Sequence, residues 1–288
     1  MSNRNLAATS TFILVIAVIG VSFAFRGDIR DEITRLKQGP VPPETSRVEI
    51  PLQPNANITV PKPTATVKQK AEPGPKPSVT TPSASSAVTQ PETVTIAKNL
   101  PVQFNLKVPM VFQAPFKIWD DIHEDACEEA SALMLRAYEN DVASYTPDQM
   151  ETMIQDLVTY ENATFGDYHN TTAAQTTRML QEHLGVKGAK VVTITSIDDI
   201  KSEIAAGRPV AVPADGKALP NPNFRNGGPV YHMLVIKGYT KDGKFVSNDP
   251  GTRLGENFVY DQQALFDAIH DYNGGDVPHG AKVGIVVE

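Results

Sequence analysis

Three residue types in this chain have the makings of a nucleophilic site. Cys127 is the only cysteine among 288 residues, so it forms no intrachain disulfide and joins no thiolate-rich zinc site. It opens an apolar helical pattern: Cys127, Ala130, Ser131, Met134, Leu135 and Tyr138 recur at three- and four-residue steps, which predicts a helix from about Asp125 to Tyr138. A thiol in the first turn of a helix meets free backbone N–H groups and the positive end of the helix dipole, and both favour the attacking thiolate. A cysteine on an apolar stripe is otherwise a small buried hydrophobe. The polar run Trp119-Asp120-Asp121-Ile122-His123-Glu124-Asp125 before it reads as a loop that leaves the sulfur at a cleft.

His232 stands near the start of an apolar strand expected over Val230 to Tyr239. One hairpin-sized connection later comes Val246-Ser247-Asn248-Asp249-Pro250. An adjacent antiparallel strand brings a carboxylate beside an imidazole, and a third group that orients the base is what nucleophilic catalysis uses. Asn248 competes with Asp249 for that place, because an amide also orients an imidazole. Gln113, upstream of the helix, is a candidate donor to a developing oxyanion beside the Cys127 N–H. Each residue also has a plain structural reading: a core histidine bonded to backbone, a turn aspartate before proline, a solvated glutamine.

The elements that must position these residues follow from pattern. Val102 to Phe112 reads as extended, with a short strand over Val108 to Phe112. Thr146-Pro147-Asp148-Gln149 announces a second helix through an N-cap, a first-turn proline and a capping-box glutamine. A third helix starts at Thr171 or Thr172 and stops at Gly185, and a fourth runs from Ser196 to Gly207. Beyond Arg208 the period becomes strand-like, in runs over Pro209–Pro213, Val230–Tyr239, Lys244–Asn248, Asn257–Tyr260 and Lys282–Val287. A last helix opens at Asp261 and runs to about Asp271. Helices first and short strands after predict an α+β domain with an antiparallel sheet.

The chain divides by composition. Residues 1–25 contain an uncharged apolar run, Ala7 to Phe25, about 28 Å long as a helix and matched to a bilayer. It is expected to be a membrane anchor; Arg4 and the pattern Ser22-Phe23-Ala24 also fit a cleavable signal peptide. Residues 26–97 read as a charged juxtamembrane segment followed by a Pro/Thr/Ser-rich linker without apolar periodicity. Residues 98–288 hold the globular text. Arg26, Arg30, Arg35 and Lys37 after the run favour a cytoplasmic C-terminal part, whereas the long linker suits an extracytoplasmic one. The expected location is the cell membrane, single-pass with the domain outside, or secreted if the segment is cleaved. A net charge of −7 with no Lys/Arg run argues against a nucleic-acid partner.

Residues 108 to 134, together with Tyr231-His232-Met233-Leu234-Val235-Ile236-Lys237-Gly238-Tyr239 and Asn248-Asp249-Pro250, resemble the papain-clan cysteine peptidase-like family related to bacteriocin-leader (double-glycine) peptidases. The resemblance covers 98–288. It implies a papain-like fold, with the nucleophile at a helix N-terminus packed on an antiparallel sheet that carries the histidine and aspartate. Carried over by position, Cys127 resembles the nucleophile, His232 the general base and acid, Asp249 its orienter and Gln113 the oxyanion-hole donor. It further implies a bacterial hydrolase of peptide or protein substrates that needs no cofactor or metal. Where the commoner pattern has Cys-Gly-Pro-Ala-Ser, this chain has Cys127-Glu128-Glu129-Ala130-Ser131, which sets two carboxylates beside the thiol and raises its pKa. The alternatives are a peptide- or wall-binding module without turnover and an amide hydrolase or acyl transferase on a non-protein substrate. His123, Glu124 and Asp125 are spaced wrongly for a helical metal pair and read as solvated loop, and so does His169.

Overall fold

The computed structural model describes residues 31–47 and 100–288. The apolar run at 7–25 and most of the Pro-rich stretch lie outside the described residues. Among the described residues no helix is long and apolar enough to cross a membrane.

Among the described residues from 100 onward there are six α-helices and seven strands. In chain order they are β1 (Phe104–Asn105), α1 (Asp121–Asp125), α2 (Cys127–Glu139), α3 (Pro147–Thr164), α4 (Ala173–Glu182), β2 (Lys190–Thr193), α5 (Ile197–Ala205), β3 (Val210–Asp215), β4 (Tyr231–Tyr239), β5 (Lys244–Asn248), β6 (Phe258–Asp261), α6 (Gln262–Ala268) and β7 (Val283–Val286). The α+β class expected from sequence is the class observed. Helix starts follow their caps: Thr146, Thr172 and Ser196 each close a capping box on α3, α4 and α5, which satisfies amide groups that the first turn leaves unpaired.

All seven strands form one sheet in the order β2-β7-β3-β4-β5-β6, with β1 added to the far end of β4. Every ladder is antiparallel. β4 is the central strand and is buried along its whole length, which is why its sequence is continuously apolar around His232 rather than alternating. α2 packs against β4, and its inner face (Ala130, Leu133, Met134) joins Leu234 and Ile236 in the core.

Two expectations need correction. Val108 to Phe112 pairs with no strand; Pro109 has no N–H to donate, and Val108, Met110 and Val111 are buried by packing alone. The polar run before Cys127 is not all loop, because Asp121–Asp125 is helical, capped by the Asp120 carboxylate on the His123 N–H.

Residues 31–47 pack on the same domain. Residues 31–38 are helical, and Thr45 bridges to Leu106 in parallel, with the Thr45 N–H on the Asn105 carbonyl at 2.8 Å and the Lys107 N–H on the Thr45 carbonyl at 3.0 Å. Glu44 pairs with Lys237, a lysine only 1% exposed. Arg47 pairs with Glu139 and lies over the Tyr138 ring.

Candidate active site

β5 joins β4 only from Val235 onward, so the first residues of β4 have no β5 partner. α2 packs against this strand, and the Met233 main-chain N–H acts on the Cys127 sulfur, drawing its pKa down. Cys127 is the first residue of α2, as the apolar spacing required, but it is only 4% exposed.

On the other side, Asn248 lies opposite Val235 and the chain then turns at Asp249-Pro250. This brings the Asp249 carboxylate to His232, with Oδ1 2.9 Å from Nε2. Both residues are buried. The Tyr260 hydroxyl donates to Asp249 Oδ2 at 2.6 Å, the Asn221 amide donates to the same oxygen at 3.0 Å, and the Gly251 N–H donates to Oδ1 at 3.0 Å. Burial raises the Asp249 carboxyl, but the His232 charge and these hydrogen bonds outweigh it and hold the group below its ordinary value. The Phe224 ring meets His232 edge-on at 5.2 Å. Gly251 leaves room for the imidazole, since a Cβ there would lie 2.9 Å from its Cε1. Asn248 faces elsewhere: its amide donates to the Val108 carbonyl at 2.9 Å and its oxygen accepts from the Asn257 N–H.

The sulfur and the imidazole are not hydrogen-bonded to each other. The Cys127 S–H points to Glu128 Oε2, 2.8 Å away. Burial raises the thiol pKa well above its ordinary value, and the Glu128 charge and hydrogen bond push it further. The thiolate bias expected of a helix N-terminus is therefore overridden: partial helix charges are outmatched by desolvation and by the Glu128 carboxyl at contact. Gln113 is buried and spends its amide on the carbonyls of His123 at 2.8 Å and Glu124 at 3.3 Å, so it ties α1 to the site loop. Its own N–H bonds the Pro250 carbonyl.

Three glutamates back the cysteine. Glu128, Glu129 and Glu161 are buried. Burial and the Glu129 charge push the Glu161 carboxyl up to about 12, so it is a neutral acid whose proton serves Glu129. Burial moves Glu129 to about 7 against that hydrogen bond. Neither carboxyl has another partner among the described residues. The reading of His123 as solvated also fails, because it is buried with Nδ1 2.6 Å from Asp120 and Nε2 2.8 Å from Glu151. His169 is a surface loop histidine, as expected, paired with Asp167 at 2.6 Å.

A cleft of about 1340 Å³ runs past the site, lined among others by Gln113, Trp119, Phe224, His232 and Pro250. Asn221 and Tyr260 were not legible in advance; the only signal is that Tyr260 lies on the strand paired with β5, one residue before the helix N-cap Asp261.

A cysteine at a helix N-terminus beside a sheet that carries a buried His–Asp pair is a cysteine peptidase-like arrangement. The chain belongs to the Peptidase_C39 like family, whose model matches residues 105–273. Among solved structures it is similar to one described as a C39-like peptidase from Bacillus anthracis, at 16% identity and a TM-score of 0.39, covering 65% of this chain and 97% of that one. It is also similar to the interpain A cysteine protease of Prevotella intermedia, at 12% identity and a TM-score of 0.38, covering 65% and 95%. No curated protein matches the chain.

Proposed function

We propose that this protein is a cysteine peptidase that hydrolyses peptide bonds, held at the membrane by its N-terminal segment with the domain outside the cytoplasm. The observation that carries the reading is the buried His232–Asp249 pair at 2.9 Å, its histidine on the strand that packs against α2, the helix Cys127 opens. Asp249 fixes Nε2 of the imidazole and leaves Nδ1 for the thiol proton. In the reaction the S–H leaves Glu128 for His232, the sulfur attacks the carbonyl carbon, and the oxyanion is held by the Cys127 N–H. Gln113 joins it once its amide leaves the His123 and Glu124 carbonyls. His232 then protonates the departing amine, and water activated by the same ring releases the acyl enzyme. The apolar run at 7–25 and the linker after it support the tether.

The test is a peptide-library digest with the full chain in neutral detergent, products identified by mass, and Cys127→Ala as control. Cleavage at defined bonds that disappears in Cys127→Ala is expected. One observation favours a second reading, a binding module without turnover: the sulfur is buried and its proton rests on a carboxylate. Library peptides that bind wild type and Cys127→Ala equally, with no product from either, would establish the binder.

A further inference from the structure

The chain as a whole is acidic, with 26 Lys and Arg against 33 Asp and Glu, yet the cleft has the opposite sign. Its cationic lining is Arg35, Lys117, Lys217, Arg225 and Arg253, against only two carboxylates, Asp31 and Glu124. All five cations are exposed. Arg253 already holds a carboxylate, that of Asp31, at 2.6 Å. Arg225 pairs with Glu124 and lies 5.6 Å over the Trp119 ring. The Lys217 ammonium group donates to the Asn226 carbonyl at 3.1 Å. Lys117 and Arg35 have no ionic partner among the described residues. Lys117 is also held at φ +62, a region that costs a residue with a Cβ and persists where surroundings impose it.

Apolar surface accompanies the charge. Phe116, Ile118 and Trp119 are exposed on the loop that leads to α1, and Val230 is exposed where β4 begins. A cleft with walls of low dielectric and one dominant sign focuses its field on what enters. Exposed rim cations act chiefly on encounter and selection among partners, and the aromatic and aliphatic rim supplies contact area.

We propose that this cleft selects acidic peptide segments, in which Asp or Glu alternates with apolar residues, and that Lys117, Lys217 and Arg253 receive the carboxylates. The inference rests on the peptidase reading for its turnover consequence, and on the cleft alone for binding. Asp31 on Arg253 is the chain's own example of the contact, and a substrate carboxylate competes with it there.

The experiment uses the full chain in neutral detergent and three matched peptide sets, acidic, neutral and basic, with identical apolar residues. The acidic set is expected to have a kcat/KM about tenfold above the neutral one at about 0.1 M salt, and to lose the advantage toward 1 M as the screening length falls from about 10 to 3 Å. Lys117→Glu combined with Lys217→Glu is expected to reverse the order of acidic and basic sets. Equal rates for the three sets, or a preference unmoved by salt and by the double reversal, would overturn the proposal. Fluorescence anisotropy of the same peptides on Cys127→Ala separates the two ideas. Tight, salt-sensitive binding of the acidic set without hydrolysis by wild type keeps the cleft assignment and removes the peptidase. Hydrolysis without charge preference does the converse. An oligonucleotide that displaces the acidic peptide at lower concentration than any unlabelled peptide would also overturn it.

Discussion

The Cys127 thiol donates to the Glu128 carboxylate over 2.8 Å, so the candidate nucleophile and the residue directly after it form a closed pair in the core. The pair exists because α2 begins at Cys127 and buries Glu128 along with it. Oε1 of Glu128 has no partner, and burial pushes its carboxyl well up. An ionisable carboxyl retained at this position opposes loss of the thiol proton, because the two groups cannot both carry negative charge in contact, and a glycine there would not.

Glu128→Gln removes that competing ionisable group. Alkylation of the single cysteine by iodoacetamide, followed against pH, is expected to be slow in wild type and to move to lower pH in Glu128→Gln. The rate at pH 8 is expected to rise by about tenfold if the thiol pKa falls by about one. The titratable groups that act on the sulfur are Glu128 and Glu129 of α2 and Tyr231 of β4, while Asp125 and, from α3, Glu161 act on those glutamates. Glu128 hydrogen-bonds the sulfur directly and Glu161 acts through the other glutamates, so Glu161→Gln serves as the comparison and is expected to move the profile less. Superimposed profiles for wild type and Glu128→Gln would remove Glu128 from control of the thiol.

Tyr260→Phe deletes the 2.6 Å hydrogen bond to Asp249 and leaves the ring packed. The expected cost is about 1 to 2 kcal/mol in urea unfolding, with a fall in kcat and little change in KM. Asp249→Ala strands a buried imidazole and three donors, for which about 3 to 5 kcal/mol is expected. Because the Asp249 carboxyl is depressed, its contribution is present above its ordinary value of 3.8 and is lost as pH falls through the lower folded value. An unchanged urea midpoint in Asp249→Ala would contradict the pairing.

The buried glutamates work in the other direction. Glu161, pushed up to about 12 from 4.5, stays protonated in the fold while the unfolded chain ionises. Stability is therefore fully present below pH 4.5 and declines as pH rises toward the folded value, by up to about 1.4 kcal/mol per pH unit. Glu129 adds to the decline only up to about 7. Glu161→Gln donates to Glu129 at any pH, so its melting temperature is expected to fall less between about pH 5 and 8 than that of wild type. Parallel curves would mean that Glu161 is ionised in the fold.

Lys237 is buried with Glu44 as its partner, 193 positions away. Glu44→Ala leaves that ammonium group uncompensated, and a loss of about 3 kcal/mol is expected, recovered in Glu44→Ala with Lys237→Met. A chain that starts at residue 98 is expected to melt below one that starts at residue 31. Equal melting temperatures would mean that residues 31–47 contribute nothing to the stability of the domain.

The amino-acid sequence alone determined where most elements start and what lies on them. Caps at Thr146, Thr172 and Ser196 are short-range chemistry, and so is the apolar period that places Cys127 at the head of α2 and His232 on β4. The β4–β5 hairpin is nearly local too, so the sequence already brings Asp249 within reach of His232. β2 was not anticipated: Lys190–Thr193 is mostly exposed, and its partner β7 lies some ninety residues on. Tertiary structure alone decided which polar atoms meet. Asp249 rather than Asn248 faces the imidazole because the chain turns at Pro250. Tyr260 and Asn221 converge on one oxygen from separate elements. Gln113 is spent on α1, and Glu128 on the sulfur. Period and propensity encode which face of an element is buried; the partner of a buried hydrogen-bonding group depends on distances between elements of a few ångströms, and those are fixed only when the whole core has packed.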